Sequence, residues 1–258
     1  MIRTWLIGAA LFVNAASGQA PAYSAENIVN AANFTPGPQA PNAAVSLFGT
    51  NLAWWEETLT AENTRAGLLP TSLADVRVYV ANYPAPLLYV GPTQINFLVP
   101  GNLRTGPVPV RVVRQGVTGP EVTITLVDAV PQFFRTQDGY VIAQHADYSV
   151  VTPDHPALRG EMIVIYATGL GITQPNPSPG EIPAYPGLIA QLHALRVFVG
   201  GTVLPPERIL YAGLTPGWAG LYQINLFLPD NLDLDPEVHA AIGDQAGTPG
   251  LKLATGPR

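Results

Sequence analysis

Two stretches of the 258-residue chain crowd together side chains able to do chemistry. The first holds His145, Asp147, Asp154 and His155. Two imidazoles and two carboxylates suit a divalent metal ion. The pairs stand at opposite ends of Tyr-Ser-Val-Val-Thr-Pro, however, and that spacing matches no known ligand pattern. Asp154, ahead of His-Pro, reads as a turn residue. The stretch reads as a hairpin or a connection between units, and no metal site is expected there. The second stretch sets Trp54-Trp55 against Glu56-Glu57. Indole faces stack on pyranose rings, and carboxylates accept hydroxyl protons. Trp218 with Tyr222 is a similar aromatic pair further on. Trp54, Trp55, Glu56, Trp218 and Tyr222 are therefore the candidate ligand-binding residues. The competing reading has one tryptophan packed under its loop and the other capping a sandwich edge.

Catalysis has weaker support. Glycosidases need two carboxylates roughly 5–10 Å apart across a cleft. Neighbouring residues on a strand point to opposite faces, so Glu56 or Glu57 would need another acid, such as Asp75, as its partner. No G-x-S-x-G elbow and no H-E-x-x-H occurs. Thr168-Gly-Leu-Gly171 and Gly49-Thr-Asn51 lack the phosphate-binding glycine patterns, and no helix pattern follows them. No cysteine is present, which excludes disulfides, thiolate metal sites, cysteine nucleophiles and a lipidated cysteine anchor. Net charge is −6, and Lys252 is the single lysine, so the basic footprint of a nucleic-acid binder is missing. No catalytic residue and no cofactor is expected.

Met1-Ile2-Arg3 opens the chain, an apolar run follows to Val13, and Ala16-Ser17-Gly18 supplies small residues. This is the pattern of a secretory signal peptide over 1–18. The apolar run is about half of the ~20 residues that a spanning helix needs, so cleavage before Gln19 is expected. The mature protein is then expected outside the inner membrane and not within it.

The elements that must position these residues are short strands. The 27 prolines and 25 glycines are spread along the chain, which argues for many strands with tight turns. Alternation marks strands at Ala44–Gly49, Val76–Val80, Leu87–Val90, Gln94–Val99, Val108–Val113 and Val122–Val127. The second half then repeats the first. Arg77-Val-Tyr-Val80 returns as Arg196-Val-Phe-Val199, and Leu88-Tyr89 as Leu210-Tyr211. Gln94-Ile-Asn96 returns as Gln223-Ile-Asn225, and Leu47-Phe-Gly-Thr-Asn-Leu52 as Ile165-Tyr-Ala-Thr-Gly-Leu170. Ordered recurrence of four motifs signals a duplicated unit. The extra length of the second copy lies between Tyr211 and Gln223, where Pro216-Gly217-Trp218-Ala219-Gly220 makes a longer loop. Because Gln-Ile-Asn occurs in both copies, it reads as scaffold, its amides bonding turn backbone or a neighbouring strand. The second unit is expected to open with Tyr140–Gln144 as its first strand. Asp235-Pro-Glu-Val-His-Ala-Ala-Ile-Gly243 carries the local signals of a short helix, but its place in the repeat predicts a strand.

A family resemblance rests on Asn27-Ile-Val-Asn-Ala-Ala-Asn-Phe-Thr-Pro-Gly37, Val45–Ala53, Leu69-Pro-Thr-Ser-Leu-Ala74, Pro84–Asn96, Ala167-Thr-Gly-Leu-Gly171, Tyr211–Gly217 and Gly220–Asn225. Taken in order, these resemble the Solibacter uncharacterised C-terminal domain family, from about residue 27 to the end. The resemblance implies tandem IPT/TIG-type immunoglobulin-like domains in an exported protein, and it implies no catalytic residues. His145-Ala-Asp-Tyr148 stands where the family has an Asn-x-Asp-Gly turn.

The expectation is thus an all-β chain of two tandem immunoglobulin-like (IPT/TIG-like) β-sandwiches, one over 19–134 and one over 135–258. It is expected to be a secreted, non-catalytic binding or structural module whose partner is an extracellular protein or polysaccharide. The alternative is an extracellular carbohydrate-binding protein or glycoside hydrolase.

Overall fold

The computed structural model describes residues 19–256 other than 65; the leader predicted over 1–18 lies outside them. Among the described residues there are strands, short 3-10 turns and no α-helix. The first unit contains β1 (Ile28–Asn30), β2 (Ala44–Phe48), β3 (Val76–Val80), β4 (Leu87–Val90), β5 (Gln94–Leu98), β6 (Gly106–Arg114) and β7 (Val122–Leu126). Alternation explains their packing: Val76, Val78 and Val80 are fully buried, whereas Arg77 and Tyr79 face outward. One antiparallel sheet runs β1-β2-β5-β4, and the other runs β7-β6-β3. Lettered A to G in chain order, that is A-B-E-D against G-F-C, the immunoglobulin arrangement. Val45, Leu47, Ile95 and Phe97 of one sheet meet Val78, Val110, Val112 and Ile124 of the other in a single core. Each buried side chain of this kind contributes about 1.5–3 kcal/mol.

The second unit repeats the frame. β8 (Gln132–Phe133) and β9 (Ala143–His145) both pair with β10 (Met162–Thr168). β11 (Leu195–Val199), β12 (Ile209–Leu214), β13 (Tyr222–Phe227) and β14 (Val238–Ile242) complete it. One sheet runs β10-β13-β12, and the other is built on β11-β14. The repeat outweighs the local helix signal at 235–243. Pairing with β11 from Leu195↔Ile242 to Val199↔Val238 buries Val238, Ala240 and Ile242, which a single helical turn could not do. The opening of this unit differs from expectation. Gln132–Phe133 already hydrogen-bonds to β10, and Phe133 packs in the second core, ahead of the strand predicted at 140–144.

The units touch through a small third core. Ala44 and Leu98, on the outward face of β2 and β5, pack with Leu69 and are covered by Ile182 and Ala219 of the second unit. Thr168 is fully buried at this seam. Its hydroxyl accepts from the Ala44 N–H at 2.9 Å and donates to the Gly220 carbonyl at 3.2 Å. Asn176 joins the seam from the second unit, taking the Asn42 amide at 2.9 Å and donating to the Gly101 carbonyl at 3.3 Å. Gly220 must be glycine: its φ is +74°, and a Cβ there would lie 2.3 Å from Leu98 Cδ2.

Candidate ligand-binding site

The five candidate residues do not form one site. Trp54 is half exposed, but its ring lies 3.9 Å from the Arg114 guanidinium, and its indole N–H donates to Gln115 at 2.9 Å. Arg114 is 1% exposed, and it donates to the carbonyls of Asn51 and Gln19 at 2.5 and 2.6 Å. A buried cation without a carboxylate is costly, and the indole face compensates it by about 2 kcal/mol. Trp54 therefore covers an internal clamp. Trp55 stands exposed in the same loop. Glu56 stands near the Tyr89 hydroxyl, and burial, then the Glu56 carboxylate, raise that phenol's pKa. Glu57 turns elsewhere and accepts from the Ala74 N–H at 2.8 Å. The two carboxylates serve separate local contacts, so they do not make an acid/base pair.

Tyr222 corrects the sequence reading. It is 0% exposed, faces the core with Ile224 and Leu226, and donates its hydroxyl to the Gly171 carbonyl. Burial raises its pKa well above the ordinary phenol value. A strand period of two requires this, because Gln223 and Asn225 take the outward positions on β13. Tyr222 cannot meet a ligand.

Trp218 does belong to a concave surface. An open groove of about 740 Å³ lies on the outward face of β9, β10 and β13, under the loop that carries Trp218. Trp218 is 66% exposed and Tyr148 is 80% exposed. Between them lie Tyr166, outward from β10, and Gln144 and Gln223, outward from β9 and β13. The Tyr166 hydroxyl donates to Gln144 Oε1 at 2.5 Å. Burial, then the neighbouring Tyr148, hold its pKa above the usual value, so it stays a donor. Gln223 donates to Asn225 at 2.9 Å, and Gln94 to Asn96 at 2.8 Å in the first unit. The repeated amides therefore pair along their own strand, with Ser46 of β2 also donating to Asn96. Thr215 closes the groove wall; it is buried, and its hydroxyl has no partner within the described residues.

The loop holding Trp218 is set by its surroundings. Trp218 N–H bonds to Thr215 O at 3.1 Å, and Gly217 N–H to Pro183 O at 2.7 Å. Tyr148 sits at φ +70°, in the left-handed region that a bulky residue seldom occupies. A turn enforces it: Tyr148 N–H bonds to His145 O, while Asp147 accepts from both the N–H and hydroxyl of Ser149.

The histidine cluster behind this turn is structural. His145 Nδ1 lies 2.5 Å from Glu161 Oε1, and its Nε2 is 3.2 Å from the His155 carbonyl. The two imidazoles pack against each other with their centroids 4.3 Å apart and their planes tilted by 36°. Both nitrogens of His145 are engaged, and no group of three or more His, Asp or Glu able to hold a metal occurs among the described residues. Burial pulls the His145 pKa down. The Glu161 hydrogen bond, the His155 carbonyl and the charges of Glu161 and Asp147 outweigh it and leave the imidazole above its ordinary value.

The chain matches no protein-family model and no curated protein. Among solved structures it is similar to the surface glycan-binding protein SGBP-B of the Bacteroides ovatus mixed-linkage glucan utilization locus. That match has 12% identity and a TM-score of 0.35, over 95% of this chain and 47% of that one. It is also similar to the Prevotella bryantii surface glycan-binding protein PbSGBP-B, at 14% identity and a TM-score of 0.27, over 90% of this chain and 41% of that one. Domains 5–6 of the S-layer protein SbsC match at 9% identity and a TM-score of 0.27, over 91% and 98%. The chain spans under half the length of both glycan-binding proteins.

Proposed function

We propose that this chain is an exported, non-catalytic binding module that engages an extracellular partner through the outward face of its second unit. The observation that carries this reading is the unequal fate of one face in two copies of a unit. In the first unit, Ala44 and Leu98 on that face are covered by Ile182 and Ala219. In the second unit the corresponding face leaves Trp218, Tyr148, Leu210 and Phe227 exposed. Exposed apolar and aromatic area of this kind marks an interaction surface. None of the ten residues lining its groove is a carboxylate, so two-carboxylate hydrolysis has no acid there. Among the described residues no helix is long and apolar enough to cross a membrane.

Hydroxyl-radical footprinting of the full chain, with and without the host's cell-envelope material, tests this. Protection of Trp218 and Tyr148 with no release of new reducing ends or peptide ends is expected. Protection confined to other faces, or product release that Trp218→Ala abolishes, would overturn the reading.

A further inference from the structure

We propose that the groove of the second unit is a binding site for a neutral polysaccharide, with Trp218, Tyr148 and Tyr166 stacking on sugar rings and Thr215, Gln144 and Gln223 bonding to hydroxyls. This rests on the binding-module reading and names its ligand class.

Five observations select that chemistry. The groove is aromatic, yet its polar groups are amides and hydroxyls, and no lining residue is ionised at neutral pH. A uronic-acid polymer or a charged peptide would find no counter-charge there, whereas a neutral sugar needs none. Sugar rings have apolar C–H faces and a rim of hydroxyls, and rings with a polar edge match both. The volume of about 740 Å³ falls in the range of clefts that hold small ligands. Two tyrosines and a tryptophan from separate elements give more stacking faces than a single sugar occupies, which favours a chain over a monosaccharide.

The remaining two observations concern single residues. The Thr215 hydroxyl is buried at the groove wall without a partner among the described residues, and a sugar hydroxyl would satisfy it. Tyr148 is held at φ +70° with its ring in solvent. Strain of that kind persists where the surroundings enforce it, and it tends to accompany binding sites. Asp147 beside it is turned back onto Ser149, so its charge stays out of the lining.

Affinity gel electrophoresis of the full chain tests the assignment. Native gels would contain a soluble neutral glucan, xylan or mannan, or polygalacturonate as the charged control. At least one neutral gel is expected to slow the chain. Trp218→Ala is expected to weaken that retardation at least tenfold, and Thr215→Val several-fold, with unchanged melting temperatures. Retardation by polygalacturonate alone, lost in Trp218→Ala, would overturn neutrality and leave the binding-module reading standing. Neutral retardation that survives both Trp218→Ala and Tyr148→Ala would move the sugar site elsewhere and overturn this one. No retardation in any neutral gel would overturn the ligand class; footprint protection of Trp218 by a protein partner would then still support a binding module.

Discussion

Two tyrosines show how one residue type is put to opposite uses. Tyr222 fills the second core and spends its hydroxyl on Gly171, whereas Tyr148 projects its ring into solvent. Tyr222→Phe leaves a buried carbonyl short of a donor and is expected to cost about 1 kcal/mol by chemical denaturation. Trp218→Ala removes an exposed ring and is expected to stay within about 0.5 kcal/mol of the parent in the same measurement. The contrast also shows what was legible residue by residue. Trp218 was recognisable as a loop aromatic in the longer copy. Its predicted companion was the wrong one, because Tyr222 and Gln223 look equally available until the strand's inward parity is known. The alternation in Gln-Ile-Asn contained that parity, since Ile224 faces the core and Gln223 must then face out. Tyr166 and Tyr148 were not recoverable in this way. They reach the groove from β10 and from a turn, and only the pairing of β9, β10 and β13 brings them together.

At the scale of elements, the turn joining β9 to the segment after it depends on a proton. His145 is 8% exposed and bonded to Glu161, and its pKa is raised in the folded state. A raised folded pKa adds stability that is complete below the unfolded value near 6.5 and is lost as pH rises through the folded value. Thermal melts across pH 5–9 are therefore expected to show the parent losing part of its advantage over His145→Gln on the alkaline side. An advantage constant across that range would show that the imidazole gains no proton affinity on folding. The strands themselves were well marked in the sequence: Val76–Val80 and Leu87–Val90 begin and end as predicted. Val76, Val78 and Val80 alternate cleanly with Arg77 and Tyr79, whereas Leu87–Val90, whose alternation a bulge between Leu87 and Tyr89 interrupts, is marked by Pro86 and Gly91 on either side. β8 was missed because a two-residue strand has no period to read, and its identity comes only from pairing with β10.

Across the whole molecule, the seam between units is polar at its centre and apolar around it. Thr168 satisfies Ala44 N–H and Gly220 O at once. Thr168→Val keeps the shape and removes both bonds, which is expected to cost about 1–3 kcal/mol. Small-angle scattering should then show a larger radius of gyration, and denaturation should separate into two steps. An unchanged scattering curve with a single step would mean that the apolar contacts alone hold the units together. The duplication foretold two units but not this seam, since the repeat describes what the copies share and the seam is built from what they do not.

That seam also imposes an order of events on a chain that emerges from its N-terminus. Strands β1 to β7 of the first unit all exist once Leu126 has emerged, and even Arg114 can by then reach back to Gln19. Ala44 N–H and Leu98 must wait for Thr168 and Gly220. At synthesis rates of about 5–20 residues per second, the wait is on the order of 10 s. For that interval the first unit is a finished sandwich with a bare apolar flank. A holdase that recognised Leu69 and Leu98 would have its work confined to those seconds, and the arrival of Ile182 and Ala219 would dismiss it.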